Sequence, residues 1–198
     1  MIDRCSDCPP LGYPTDKTRC AECPVARLSS RYRNHRFVLR RTWGFVPPLA
    51  GKFINWIMLN PSTADDMFDD ATIRRCIGFS KRWGFDGLVV TNLCAFRATD
   101  PKDLATAWEQ DRDLAIGGRE NGQTIQREAD TAEAIVCAWG DNCDLVFHRD
   151  LDVIAGLRHR DLLCIRRSAK GNPVHPVRER YTDAPVLFYS KTFDEIEA

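Results

Sequence analysis

The chain has 198 residues, 43% of them hydrophobic, which is enough for one globular domain with a substantial core and a small additional segment. Its 28 basic and 28 acidic side chains balance, so net charge neither favours nor excludes a nucleic-acid partner. No apolar run reaches the roughly 20 residues of a membrane span, and the polar N-terminus "MIDRCSDC" is unlike a signal peptide. We therefore expect a soluble, cytoplasmic protein that does not associate with membranes.

The first predicted element is a metal-binding segment within residues 1–30. Two Cys-x-x-Cys pairs flank a short proline-rich loop and place four thiols around one tetrahedral position: Cys5, Cys8, Cys20 and Cys23. The loop is too short for a core, so a bound metal would supply the folding energy. Zinc is the first choice, an iron–sulfur cluster the second and two disulfides the third. Four sulfur ligands leave no open coordination position, so we expect a structural role.

A basic segment and five predicted strands follow. Residues 27–41 contain six arginines and no acidic residue, and they form either a phosphate-facing surface or a solvated strand. A first strand is predicted within "RFVLRRTWG", before Pro47 and Pro48 break the chain. Short runs rich in valine, isoleucine and leucine predict four further strands buried on both faces: residues 53–59, 87–93, 134–140 and 161–166. The remaining cysteines are expected in the core: Cys76, Cys94, Cys137, Cys143 and Cys164.

Helical patterns lie between these strands. Residues 69–84 begin with an aspartate cap and end at a glycine, and residues 100–118 begin with Asp-Pro, a capping residue before proline. Two more helices are predicted over residues 124–133 and 144–158. The alternation of strand and helix predicts an α/β fold for residues 31–198, a three-layer α/β/α sandwich with a mainly parallel central sheet.

Polar side chains follow several predicted strands, where ligands of parallel sheets bind. The second strand ends at Asn60, and Pro61 turns the chain away from the sheet. The third strand ends at Asn92, and the last is followed by a turn with Lys170 and then by His175. Two amides, a histidine and nearby arginines predict a site that reads hydrogen-bonding groups and meets negative charge.

Two blocks of sequence resemble known families. The block from "MLNPSTADD" to "ATDPKDL", together with "GNPVHP", resembles the bacterial and phage family catalogued as domain of unknown function 1643, over about residues 36–190. More distantly, "MLNPS", "VVTN" and "VHPVRE" resemble, in this order, motifs of the uracil-DNA glycosylase superfamily. That resemblance implies a fold of the same kind, DNA as the partner and hydrolysis of a base N-glycosidic bond to leave an abasic site. It implies that Asn60 positions the attacking water, that Asn92 reads the pyrimidine edge and that His175 donates to a pyrimidine carbonyl.

The chain departs from the superfamily pattern at two places. "VHPVRER" lacks the second proline and the serine, so Arg178 or Arg180 would have to supply a phosphate or wedge contact. Ser62 stands where the uracil-specific branch has a tyrosine that excludes 5-substituents. The resemblance therefore implies a modified, 5-substituted pyrimidine as the substrate.

The expected reaction develops negative charge on the departing base and requires a positioned water. Asn60 can orient a water but cannot take its proton. Asp65, the first acid after the corner, is the expected general base, whereas Asp69 or Asp70 is expected to cap the next helix. Phe68 is expected either to stack on an extruded base or to lie in the core. The further candidates for contact with the substrate are Pro61, Arg97 and Lys170.

Two other functions remain open from the sequence. The fold could bind a base or nucleotide without cleaving it, with the four-cysteine segment as a nucleic-acid clamp. Alternatively, the acidic loop after Asn60 could hold Mg²⁺ against the phosphate of a free nucleotide. Fold analogy does not choose among these functions; the motifs place base excision first, binding second and nucleotide chemistry third.

Overall fold

The computed structural model describes residues 34–43, 51–62, 64 and 68–191. The predicted domain boundary at residue 30 and residues 27–33 of the basic segment lie outside these residues. So do five of the predicted site residues: Cys5, Cys8, Cys20, Cys23 and Asp65.

The described residues form an α/β fold. The strands are β1 (Leu39–Thr42), β2 (Phe53–Met58), β3 (Gly87–Asn92), β4 (Ala134–Cys137), β5 (Leu162–Cys164) and β6 (Val186–Tyr189). The α-helices are α1 (Ala71–Arg82), α2 (Pro101–Gln110), α3 (Arg112–Ile116), α4 (Gly118–Thr131) and α5 (Arg149–Gly156). Two short 3₁₀ helices cover Asp141–Leu145 and Pro176–Arg178.

The described strands form one mixed sheet in the order β1-β3-β2-β4-β5-β6. The four inner strands are parallel, whereas β1 pairs antiparallel with β3 and β6 pairs antiparallel with β5. The prediction of a mainly parallel sheet is therefore wrong at both edges. The chain between β5 and β6 contains only a 3₁₀ turn, and without a crossover helix the returning strand pairs antiparallel. The strand β6 was not predicted, because this edge strand is half exposed and short.

Two apolar clusters form on opposite faces of the sheet. Successive side chains of a strand point to opposite faces, so Trp56 of β2 contributes to one cluster and Ile57 to the other. On the first face α1 packs against β2, where the rings of Trp56 and Trp83 stack with centroids 5.5 Å apart. The second cluster contains residues of α2, α3, α4 and α5. This packing holds the inner strands and the loops that follow them.

Aspartates begin three of the helices. The Asp70 carboxylate accepts from the Ile73 N–H at 2.8 Å at the start of α1, as one of the two predicted caps. The predicted helix over residues 100–118 is wrong in its length, because Asp111 leaves the helical conformation after α2. Its carboxylate accepts from the Leu114 N–H at 3.0 Å and starts α3 as a separate helix. The short polar side chain thus offers the backbone an alternative to continuing the helix.

The five cysteines predicted in the core are buried and unpaired by disulfides: Cys76, Cys94, Cys137, Cys143 and Cys164. Burial raises the pKa of each thiol, so these side chains behave as small apolar groups. Within the described ranges, every helix is too short or too polar to cross a membrane.

Candidate functional site

A cavity of about 330 Å³ lies beyond the carboxyl ends of β2, β3 and β4. In the parallel register Met58 pairs with Asn92 and Ile57 pairs with Cys137, so the segments after these strands emerge side by side. Four residues predicted from the sequence line the cavity: Asn60, Ser62, Asn92 and His175. Further lining residues include Arg36, Asp70, Trp139, Gly140, Asp141 and Asn142.

The orientation of the Asn60 amide is determined by two backbone carbonyls. Its Nδ2 donates to the Ala98 oxygen at 2.7 Å and to the Pro61 oxygen at 3.0 Å. A carbonyl oxygen can only accept, so both contacts require the amide nitrogen on that side. Oδ1 accepts no hydrogen bond from the described residues and is available to a ligand or water. Asn60 therefore offers an acceptor at the cavity.

The side chain of Asn92 is 2% exposed at the end of β3. Its Nδ2 is buried without a hydrogen-bond partner among the described residues. Most buried polar groups in proteins are paired, and Asn92 lines the cavity, so its amide is a candidate donor to a ligand or water. The backbone oxygen of Asn92 accepts from Nδ2 of the fully buried Asn121 at 3.0 Å, which holds the strand end in place.

His175 begins the short 3₁₀ helix Pro176–Arg178 and lines the cavity. Its Nδ1 accepts from the Val177 N–H at 3.4 Å, so the neutral ring carries its proton on Nε2. Burial lowers the pKa of His175 below its ordinary value, and the negative charge of Asp70 opposes this with a smaller effect. His175 is therefore a neutral ring with an Nε2–H donor at neutral pH.

Gly140 packs against the backbone of His175. It has a φ of +73°, its N–H donates to the Pro173 oxygen at 2.9 Å, and a Cβ added here would lie 3.2 Å from the Cβ of His175. The left-handed region and the close approach both favour glycine. The end of β4 thus positions the His175 loop, although the two segments are far apart in the sequence.

Trp139 lies between β4 and Gly140 and is 1% exposed. Its ring packs edge-on against Phe188 with centroids 5.8 Å apart. The indole Nε1 is buried and has no hydrogen-bond partner among the described residues. Trp139 thus lines the cavity, as Asn92 does, and also has a buried donor without a partner in the described residues.

Two aspartates of the described chain line the cavity, and both are hydrogen bonded. Asp70 caps α1 through one carboxylate oxygen. Asp141 accepts from Ser168 Oγ at 2.6 Å and from Asn172 Nδ2 at 3.0 Å, and these bonds lower its pKa. In the described part of the chain no cluster of three or more metal-ligating side chains is found. The described cavity therefore offers mainly amide, imidazole and indole groups.

Arginines lie beside the cavity and hold the chain after the Asn60 corner. Arg36 and Arg97 both donate to the backbone oxygen of Ala64, Arg97 at 3.3 Å. Arg36 lines the cavity, whereas Arg97 is exposed outside its lining. The basic segment thus contributes at least one residue to this site.

The other predicted substrate contacts lie outside the lining of the cavity. Pro61 is buried behind the corner, and Phe68 is 72% exposed, so its alternative assignment to the core is wrong. Lys170 forms an ion pair with Asp144 at 2.6 Å, and Arg178 is exposed after His175.

Sequence reasoning missed the pocket roles of Arg36, Asp70, Trp139 and Gly140. From the sequence, Asp70 is one of several acids after the corner that could act as a base, with a helix cap as its expected role, and Arg36 is only part of the basic segment. The run "AWG" at the end of the predicted strand over residues 134–140 is the available signal, because it places a large aromatic donor and a glycine at the carboxyl end of an inner strand.

Comparison with known proteins gives one match. The family described as protein of unknown function DUF1643 matches residues 36–177, which include every described residue that lines the cavity. No curated protein and no solved structure shows a significant match to the chain.

Proposed function

Because the chain belongs to the DUF1643 family, whose description names no activity, we propose a function from the cavity itself. The proposed reaction is hydrolysis of the N-glycosidic bond of a 5-substituted pyrimidine in DNA, which leaves an abasic site. The observation that carries it is the convergence of Asn60, Asn92 and His175 on one cavity. These residues come from three separate segments. The donors of Asn92 and His175 can hydrogen-bond to a base, and the acceptor of Asn60 can hydrogen-bond to a water.

In this proposal His175 and Asn92 bind the departing base. The bond between the sugar C1′ and the base nitrogen breaks, and its electron pair goes to the base. The Nε2–H of His175 donates to a carbonyl oxygen on which negative charge develops, and Asn92 Nδ2 donates to a second acceptor of the ring. Such preorganised donors lower the barrier because they cost no reorganisation during the reaction.

The attacking water is assigned to Asn60. Its free Oδ1 accepts a hydrogen bond from the water, whose oxygen then bonds to C1′. An amide cannot take the proton, so a carboxylate is needed, and Asp65 remains the proposed base. Asp70 is the described carboxylate that acts electrostatically on His175, and it is the alternative base, since only one of its oxygens is used by the helix cap.

A 5-substituted base is proposed because Ser62 is small. It lines the cavity beside Asn60 and makes no recorded hydrogen bond within the described ranges. A small residue at this position leaves space where a tyrosine would exclude a substituent. Replacing Ser62 by tyrosine should reduce cleavage of 5-substituted pyrimidines more than cleavage of uracil, measured on matched oligonucleotides.

We also propose a three-layer arrangement like that of the uracil-DNA glycosylase superfamily. Apolar clusters on both faces of the sheet support it, together with helices that contribute to each cluster. DNA binding would use exposed cations around the cavity. Arg178 lies three residues after His175, at the end of the 3₁₀ helix, its side chain is exposed, and it makes no hydrogen bond or ion pair within the described ranges. Arg97 is exposed on the Asn60 side.

For the four N-terminal cysteines we propose a structural zinc ion. Metal analysis of the purified protein should find about one zinc per chain, and replacement of Cys5 and Cys20 by serine should remove it. Iron with acid-labile sulfide would identify a cluster instead, and a metal-free protein without free N-terminal thiols would identify disulfides.

The test of the reaction is incubation with genomic DNAs that carry different natural base modifications, followed by alkaline cleavage at abasic sites. Asn60→Ala should reduce the rate by about 10²–10⁴-fold, the usual range for loss of a proton-transfer or water-positioning group. Thermal unfolding should report whether the variant folds. Cleavage confined to unmodified uracil would contradict the modified-base substrate, and absence of abasic sites in every DNA would contradict the reaction.

The second candidate function is base recognition without cleavage. One observation favours it: the two described carboxylates of the cavity, Asp70 and Asp141, are both engaged in hydrogen bonds. Binding of modified DNA with no abasic product, measured on the same substrates, would establish this function instead.

A further inference from the structure

The indole N–H of Trp139 differs from those of the three tryptophans in the apolar cluster on the opposite face of the sheet. Trp43, Trp56 and Trp83 each donate Nε1–H to a protein oxygen at 2.9 Å. Trp139 is as deeply buried as Trp56, yet its Nε1 has no partner among the described residues. A buried donor without an acceptor costs about 1–3 kcal/mol. Because Trp139 lines the cavity, a bound ligand would supply the missing acceptor.

The position of Trp139 relates it to His175. The next residue, Gly140, packs against the Cβ of His175, and both Trp139 and His175 line the same cavity. Asn92 lies at the end of β3, on the other side of β2 in the strand order. Trp139 therefore lies on the His175 side of the cavity, and Asn92 lies on the opposite side.

We propose that Trp139 is a catalytic residue whose Nε1–H donates, together with the Nε2–H of His175, to one carbonyl oxygen of the departing base. This inference rests on the proposed function and deepens it. A carbonyl oxygen has two lone pairs and can accept both bonds. As the C1′–N bond breaks, the electron pair enters the base and charge develops on this oxygen, so both hydrogen bonds strengthen toward the transition state. The attacking water gives its proton to the carboxylate proposed above, and that carboxylate returns a proton to the departing pyrimidine, so the hydrolysis balances.

The residue is thus expected to matter more for the rate than for substrate binding. The ring of Trp139 also packs against Phe188, so a variant that removes the donor must keep an aromatic ring. Trp139→Phe does so, and Trp56→Phe is the matched control, since Trp56 is equally buried and its donor is used inside the protein by Ser80.

Single-turnover cleavage should be measured on duplexes that carry 5-hydroxymethyluracil or 5-fluorouracil. Trp139→Phe should lower the rate by about 10²–10³-fold, the loss typical for one oxyanion donor, with a dissociation constant changed far less. The loss should be smaller for 5-fluorouracil, because its fluorine already stabilises the departing anion. Both variants lose the same ring volume, but only Trp56→Phe loses a hydrogen bond, so Trp139→Phe should unfold at a higher temperature than Trp56→Phe.

The outcomes separate this inference from the proposed function. A wild-type rate in Trp139→Phe would overturn the inference and leave the glycosylase intact. If the wild-type protein releases no base, the glycosylase proposal fails, and the donor role of Trp139, which rests on it, is overturned with it. Should Trp139→Phe not fold, benzothienylalanine at position 139 keeps the shape of the indole without its N–H and serves the same test.

Discussion

The cavity wall after β2, β3 and β4 and the loop after β5 differ in how their polar side chains are hydrogen bonded. After β2, β3 and β4 the cavity wall leaves Asn92 Nδ2 and Trp139 Nε1 buried and unpaired. After β5 the loop of residues 168–172 pairs its polar groups with the 3₁₀ helix Asp141–Leu145, where Ser168 and Asn172 bind Asp141 and Lys170 binds Asp144. A buried donor without a partner lowers stability unless a ligand pairs with it. The exposed pairs of residues 168–172 satisfy one another and are expected to contribute little to stability.

Among the side chains compared, the largest expected effect is loss of the His175 donor. His175→Ala should lower the rate of base release by about 10²–10³-fold, because the charge on the departing base loses a preorganised donor. His159→Ala is the matched control, since His159 binds Asp130 at 2.8 Å on the surface away from the cavity. Alkaline cleavage assays on both variants make the comparison, and equal rates would remove His175 from the site.

A smaller effect separates two buried asparagines. Asn121→Leu should lower the free energy of unfolding by about 1–3 kcal/mol, because the backbone oxygens of Asn92 and Leu93 lose their buried donor. Asn92→Leu should leave stability unchanged and instead weaken DNA binding by about 10-fold to 100-fold. Urea unfolding and fluorescence anisotropy measure the two quantities. If Asn92→Leu destabilises as much as Asn121→Leu, its amide is structural.

The neutral His175 predicts a pH dependence. Its pKa is lower in the folded protein than in the unfolded chain, where it is near the ordinary 6.5. As the pH falls below that value the unfolded state takes up the proton first, so stability declines until the pH has passed the folded pKa. Between pH 7.5 and lower pH, the free energy of unfolding should therefore fall less in His175→Gln than in the wild type. An equal fall in the two proteins would exclude a buried neutral histidine.

The smallest effect is expected at the ion pair between Lys170 and Asp144. Lys170→Ala removes an exposed ion pair with Asp144, and such pairs are screened by solvent. We expect no measurable change in the unfolding temperature and little change in base release. A large loss of cleavage with unchanged stability would instead assign Lys170 to phosphate binding or to a Schiff base with the substrate. The loop of residues 168–172 would then belong to the functional site, and its contrast with the cavity wall would be wrong.

Several features followed from the sequence because they depend on neighbouring residues. The inner strands were predicted from their short apolar runs, and an aspartate cap was expected at the start of α1. Asp111 shows where this reasoning fails. The pattern of residues 100–118 is helical throughout, yet the carboxylate of Asp111 competes for the backbone and divides the helix. The edge strand β6 was missed because exposure on its outer side removes the apolar run.

The sequence by itself determined that Asn60, Asn92 and His175 would follow strands of an α/β sheet, since proline, amide and glycine signals act locally. Tertiary structure alone decided which atoms they present. The Ala98 carbonyl, 38 residues from Asn60, turns its amide so that Oδ1 is free. Gly140 at the end of β4 positions His175, and the same strand end brings Trp139 into the wall. Hydrogen bonds between distant segments exist only after the sheet has brought them together, so which donor stays unpaired is a property of the fold.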